Sequence, residues 1–261
     1  MITTYFLLTR KSLRWWASLL FFSFFAYASQ AQVIYVNHSA TGSNNGTSWT
    51  NAYTDLQSAL TAATSGDQIV VAKGTYKPSQ QWNVSTGTQT SGDTRKATFH
   101  IPDGVEVYGG FAGGESNPTS TSVLNARNFS TNKTILSGDY SDNDNYTVST
   151  SPTSISITGN TENAYHVVYT RQVTNATIVD GFTITGGSAN GTSDISGGAW
   201  INTASGLDNG SPTSSSPTIR NVVFTQSFAS FGGGAFSNDA SLNSICEPSF
   251  TNCDFTQNQS P

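Results

Sequence analysis

Three short stretches of the chain share one pattern of apolar and polar positions. Val179-Asp180-Gly181-Phe182-Thr183-Ile184, Ile219-Arg220-Asn221-Val222-Val223-Phe224 and Phe250-Thr251-Asn252-Cys253-Asp254-Phe255 align without gaps, with positions one, four and six apolar in each. A plain strand would place positions one, three and five on one face. Here the phase breaks at position three, which holds Gly181, Asn221 and Asn252. Gly and Asn tolerate a left-handed backbone best, so this slot suits a one-residue bend between two short strands. Such a bend is the corner of a parallel β-helix coil, where stacked asparagines can pair amides from coil to coil.

A second repeated element is Gly-Gly-Ala followed by an aromatic, at Gly197-Gly198-Ala199-Trp200 and Gly233-Gly234-Ala235-Phe236, each between two bend segments. One coil then consists of a Gly-Gly-Ala-aromatic strand, a polar turn and the bent strand pair. The repeat of about thirty to forty residues fits a solenoid with side loops of variable length. Residues 203–216 read as such a loop, polar and without periodicity. Upstream, Leu56, Ala59, Leu60 and Ala63 fall at helical spacing. They predict one helix over Thr54 to Ala63, with Thr54 and Gln57 as a capping box and Gly66 as the stop. Strands are predicted at Gln68 to Ala72, Ala97 to Ile101, Val105 to Tyr108, Thr134 to Leu136, His166 to Tyr169 and Thr177 to Val179. The first coil of a solenoid needs a cover, and an amphipathic helix before it suits that role. The predicted fold is all-β, a parallel β-helix (solenoid) with one N-terminal capping α-helix. The cap and first coil would occupy residues 32–80 and further coils 81–261. The chain stops at Ser260-Pro261 without an atypical capping repeat, so a longer protein is expected to continue beyond it.

The N-terminus changes the picture of compartment. Arg10, Lys11 and Arg14 precede an apolar run from Ala17 to Ala28, followed by small residues at Ala26-Tyr27-Ala28 and Ser29-Gln30-Ala31. That is the layout of a secretory signal over residues 1–31, and the run is shorter than the roughly twenty residues a membrane span needs. The mature chain is thus expected to be secreted or held at the cell surface, with no membrane span. Beyond the signal the chain carries eight basic and sixteen acidic residues. This balance repels phosphate backbones and excludes a nucleic-acid partner. Only 10% of residues are charged, against about 25% in ordinary globular proteins, which excludes a coiled coil or a charged disordered tail. The two cysteines, Cys246 and Cys253, do not make a disulfide scaffold. Cys253 sits at an apolar position of the repeat and reads as a buried thiol, with a bridge to Cys246 as the alternative.

The stretch Ile34-Tyr35-Val36 through Thr47-Ser48-Trp49, the Leu56 to Ala63 helix and Gly66-Asp67-Gln68-Ile69-Val70-Val71-Ala72-Lys73-Gly74-Thr75-Tyr76 resemble the N-terminal cap and first coil of secreted bacterial pectin-lyase-like proteins, which are right-handed parallel β-helices. Val179 through Gly187 is similar to a coil of many such proteins. Gly-Gly-Ala-aromatic with Phe255-Thr256-Gln257-Asn258 resembles the GGAI and FxxN repeats of polymorphic outer-membrane proteins, although Phe224-Thr225-Gln226-Ser227 departs at its last position. The resemblance implies a right-handed coil and an outer-membrane-associated or secreted protein. It specifies the fold better than the function.

Enzymes of that family include lyases that use a Ca²⁺ cluster of acidic residues with a basic proton acceptor, and hydrolases that use paired carboxylates. In this chain Asp139, Asp142 and Asp144 lie in one short stretch with Asn143 and Asn145, and such oxygen density can hold Ca²⁺. The match lacks the glycine and terminal glutamate of an EF-hand loop, and a solvated acidic loop is the alternative. Arg171, Arg220 and Lys133 are the basic residues expected near the coils, with Arg220 read as a solubilising strand residue. His38, His100 and His166 show no ligand spacing and read as surface or loop residues. Asp180 and Asp254 project outward without a matched partner. Among aromatics, Trp82 in a polar stretch is the expected exposed, glycan-binding residue, while Trp200 is expected in the core and Trp49 against the cap. These readings favour a non-catalytic β-helix region of a surface or secreted adhesin that contacts polysaccharide or cell-surface glycan. The alternative is a polysaccharide lyase or glycoside hydrolase, with Asp139, Asp142 and Asp144 as the metal site and Arg171 or Arg220 as the base. No catalytic residue is assigned.

Overall fold

The computed structural model describes residues 31–83, 86–149, 155–205, 213–240 and 243–261. The expected export signal, all but its last residue, lies outside these, as do residues 206–212 of the expected loop. Among the described residues no helix is long and apolar enough to cross a membrane.

Three parallel sheets carry an all-β fold. The first is built in sequence order from Val33–Val36, Gln68–Ala72, Glu106–Phe111, Ile178–Asp180, Thr218–Arg220 and Ser249–Thr251. Gly74–Tyr76, Thr134–Ser137, Thr183–Thr185, Val223–Thr225 and Asp254–Thr256 form the second. The third contains Phe99–His100, Val168–Arg171, Trp200–Thr203 and Phe236–Asp239. From Gln68 onward the chain visits first, second and third sheet in that order, and each new strand pairs in parallel with the one laid down a circuit earlier. Each strand predicted from sequence overlaps a strand of these ladders, with its ends displaced at all but Gln68–Ala72 and the start of Thr134–Leu136.

Register keeps like residues in columns. Ile69, Val107, Val179, Ile219 and Phe250 align along the first sheet. Leu136, Ile184, Phe224 and Phe255 align along the second, and Phe99, Val168, Trp200 and Phe236 along the third. The columns meet in one apolar core, and burying them is the main force that holds the sheets together. Trp200 is fully buried, 5.7 Å from the Phe236 ring, as its place in the repeat predicts. Phe250 and Phe255 remain partly exposed because they belong to the last strand of each ladder. Cys253, expected to be buried, is half-buried there for the same reason, and both cysteines are free thiols.

The expected bend is present. Gly181, Asn221 and Asn252 have φ of 91°, 51° and 52°. Asn252 Nδ2 donates to Asn221 Oδ1 at 2.6 Å, and Asn221 Nδ2 to Asp180 Oδ1 at 2.8 Å, so the corner amides pair between circuits. A second bend follows the second-sheet strands, where Gly186, Gln226 and Gln257 have φ of 70°, 51° and 60°.

Helix α1 spans Leu56–Ala62, shorter than predicted, and buries Leu56, Ala59 and Leu60 against the first strands. Its cap differs from the expected Thr54/Gln57 box. Asp55 accepts from the backbone N–H groups of Gln57 and Ser58, a stronger cap at a helix N-terminus than a hydroxyl. The Gln57 side chain is thereby free to turn inward, where it donates to Gln89 Oε1 and Thr98 O. A second helix, α2 (Thr121–Ala126), was not expected. It lays Val123 and Leu124 on the outer side of the first sheet beside Val70, Tyr108 and Phe111. Trp49 joins this outer cluster, 5.0 Å from Tyr35 and 5.7 Å from Phe111, with its indole N–H on Glu115 O.

Candidate functional site

Two clefts bring chemistry-bearing side chains together. The first, of about 250 Å³, is bordered by Trp82, Lys96, Tyr165, His166, Tyr169 and Asp194. Trp82 lies on the strand Gln81–Asn83, which pairs with Thr88–Thr90 as a hairpin. It is half-buried and not the freely exposed ring expected from its polar neighbours. One face stacks on His100, with centroids 3.5 Å apart and planes within 4°. His100, expected at the surface, sits in a third-sheet strand and is 7% exposed. Tyr169 lies 5.6 Å from it. Across the cleft, Arg95 holds its guanidinium 4.2 Å over the Tyr165 ring and donates to Asn163 O and Ser188 O.

His166 gives the cleft its polar edge. Its Nδ1 lies 3.0 Å from the Gly197 carbonyl, which can only accept, so Nδ1 carries a proton. The other nitrogen, Nε2, lies 3.6 Å from Asp194 Oδ1. His166 beside it, with the Ser193 hydroxyl adding, holds the Asp194 carboxyl below the usual carboxylate range. The cleft therefore joins flat aromatic surface to a carboxylate, an imidazole and an ammonium group.

Burial, with the Arg171 charge adding, lowers His100 from 6.5 to about 3. The unfolded chain binds this proton below about pH 6.5 while the folded chain does not, so acid favours unfolding. Stability is expected to fall by about 1.4 kcal/mol per pH unit below about 6.5, less what the Trp82 face returns to an imidazolium. Denaturant unfolding at about pH 7 and about pH 4.5 would reveal this slope. In His100→Phe, which keeps an aromatic partner for Trp82, the slope should flatten.

The second cleft, of about 520 Å³, lies over the outer side of the first sheet beside α2. At its centre Asp180, which the sequence left without a partner, is met by two guanidinium groups and an amide, although Arg220 Nε makes no hydrogen bond. Arg127 Nη2 approaches Oδ1 at 3.0 Å, Arg220 Nε approaches Oδ2 at 3.3 Å, and Asn221 donates to Oδ1. Arg220 is thus a partner of Asp180 more than a solubilising residue. Tyr108 donates its hydroxyl to Glu106, and burial raises its pKa well above the ordinary value. With its oxygens occupied, Asp180 is poorly placed to exchange a proton with a ligand. Arg171, the other base considered, donates its Nε to Ser205 O.

The acidic loop does not assemble as its sequence suggests. The Asp139 carboxylate turns back on its own loop and accepts from the backbone N–H groups of Ser141, Asn143 and Asp144. Asp142 pairs with Lys77 at 2.8 Å, and Asp144 accepts from Asn163 Nδ2 at 2.8 Å. Among the described residues, no three His, Cys, Asp or Glu side chains are placed to hold a metal ion. Closeness in sequence assigned these carboxylates to one site, whereas folding gave each a different partner. No protein-family model, curated protein or solved structure matches the chain.

Proposed function

We propose that the chain is an exported right-handed parallel β-helix of the pectin-lyase-like kind that holds an extended glycan against the Trp82 cleft without cleaving it. The repeated circuit through three parallel sheets supports the helical reading, and α1 at the first strands supports a capping role. The observation that carries the function is the pairing of aromatic faces, from Trp82, Tyr165 and Tyr169, with the polar groups of His166, Asp194 and Lys96 in one open cleft. Sugar rings present apolar C–H faces and hydroxyl edges, and such a surface satisfies both.

The His166–Asp194 pair favours a second reading, a polysaccharide lyase or glycoside hydrolase, because it places an imidazole and a carboxylate beside the same aromatic floor. Incubation with neutral and acidic polysaccharides separates the two. Under the binding reading, ligand quenches tryptophan fluorescence without releasing new ends, and Trp82→Ala weakens binding about tenfold or more. New unsaturated or reducing ends that disappear in His166→Ala would establish the enzyme instead. Neither binding nor cleavage across the panel would refute both.

A further inference from the structure

At the base of one hairpin, buried oxygen atoms lack donors. The strands Asn145–Val148 and Ile155–Thr158 pair antiparallel, with Asn145 opposite Thr158. Asp144 enters this hairpin, and Glu162 and Asn163 follow its exit. Asn163 is fully buried, and its Nδ2 donates to Asp144 Oδ2. That bond fixes the amide orientation, because the reverse would set Oδ1 against a carboxylate. Asn163 Oδ1 is then left buried without a partner, as are Asp144 Oδ1 and Glu162 Oε1. All three accept and none donates. Among the described residues neither acid has an ion-pair partner, the lysine of this region being committed to Asp142.

Such an arrangement is costly unless something positive enters it. Burial pushes the Asp144 carboxyl up to about 6, with the charges of Asp139 and Glu162 adding and the Asn163 hydrogen bond opposing.

We propose that Asp144, Glu162 and Asn163 form a site for a hard divalent cation, with calcium the ion that fits. Calcium takes six to eight oxygen ligands in irregular geometry, mixing carboxylate, amide and water, whereas magnesium demands a near-ideal octahedron. Three protein oxygens leave the remaining positions of calcium's shell to water. The bound ion would tie the hairpin's entry to its exit. This site shares only Asp144 with the acidic run read from sequence, and two of its three ligands come from beyond the hairpin.

Thermal unfolding of the chain stripped with EDTA, repeated with calcium and with magnesium, tests the proposal alongside titration calorimetry. Calcium about 100-fold above its Kd should raise Tm by several degrees. Asp144→Asn and Glu162→Gln should each abolish most of that rise. Asp144→Asn should fold without penalty in EDTA, since it removes a buried, unbalanced charge. Asp142→Asn, whose carboxylate faces Lys77, should respond like the unaltered chain. No calcium-dependent rise, an equal rise in Asp144→Asn, or equal loss in Asp142→Asn would overturn the assignment.

Discussion

Replacing Asp180 with alanine is expected to cost about 3–5 kcal/mol and to lower Tm by roughly 6–20 °C. The Arg127 and Asp180 side chains are 4% and 5% exposed, so their 3.0 Å contact is a buried ion pair. Arg127 cannot swing out to water when its partner is lost. Its guanidinium also donates to the carbonyls of Leu124, Gly109 and Asp180, and it sits within 5.0–5.6 Å of the Tyr108, Phe111 and Phe129 rings. Those contacts fix a positive charge just beyond α2, and the carboxylate is what neutralises it. The loss measures the penalty of an orphaned charge more than the worth of the pair. Arg127→Leu combined with Asp180→Ala should therefore recover much of the stability that Asp180→Ala loses. Denaturant midpoints for the two single variants and the double variant close the cycle. A loss below about 1 kcal/mol in Asp180→Ala would mean that water reaches Arg127, and the cluster would not be the clamp described.

This clamp also marks where sequence stops being readable. The corner at Gly181, Asn221 and Asn252 was legible because few residues accept a left-handed backbone, and the apolar phase shifted at the same place. The matching corner at Gly186, Gln226 and Gln257 was not, since glutamine carries no such bias. Neighbouring strands hold it there after the local preference has been overruled. Asp180 and Arg127 are far apart in the chain and share no spacing rule, so only the fold could pair them. The same holds for Trp82 and His100, whose stack forms between a hairpin and the third sheet.

Inward polar residues gave no signal in the sequence. Thr170 and Asn202 are fully buried and exposed Asn238 follows them in register, with Asn202 accepting from Thr170 and Ser215 and donating to Asn238. A polar side chain in a strand reads as outward unless its partners are known, and here they lie one circuit away. The acidic run at Asp139 was ambiguous for a related reason. Its first carboxylate is consumed in closing the loop's own backbone N–H groups, a local use that composition cannot distinguish from metal binding.

Gly198→Ala is expected to lower stability by about 3 kcal/mol or more, or about 6–12 °C in Tm. The sequence showed Gly-Gly-Ala as a repeat but not why glycine stands there. At the first position Gly197 has φ of 74°, whereas a Cβ on Gly233 would strike the carbonyl oxygen of Phe236. Gly198 has no positive φ, and its reason is proximity. A methyl group on it would overlap the carbonyl oxygen of Phe228 and lie 2.8 Å from that of Gly234. Both obstacles are backbone, so no rotamer change relieves them. Gly187 is packed as closely, since its own Cβ would strike Gly198 O. Alanine must then push apart circuits whose hydrogen bonds include Val167 N–H to Gly198 O and Phe228 N–H to Gly187 O. Gly114→Ala provides the control, since a Cβ there meets nothing within 4 Å. It should stay within about 0.5 kcal/mol of the unaltered chain. If Gly198→Ala melted alongside Gly114→Ala, the circuits could not be stacked as closely in solution as these contacts require. The Gly-Gly-Ala repeat would then need an explanation other than the approach of one backbone to the next.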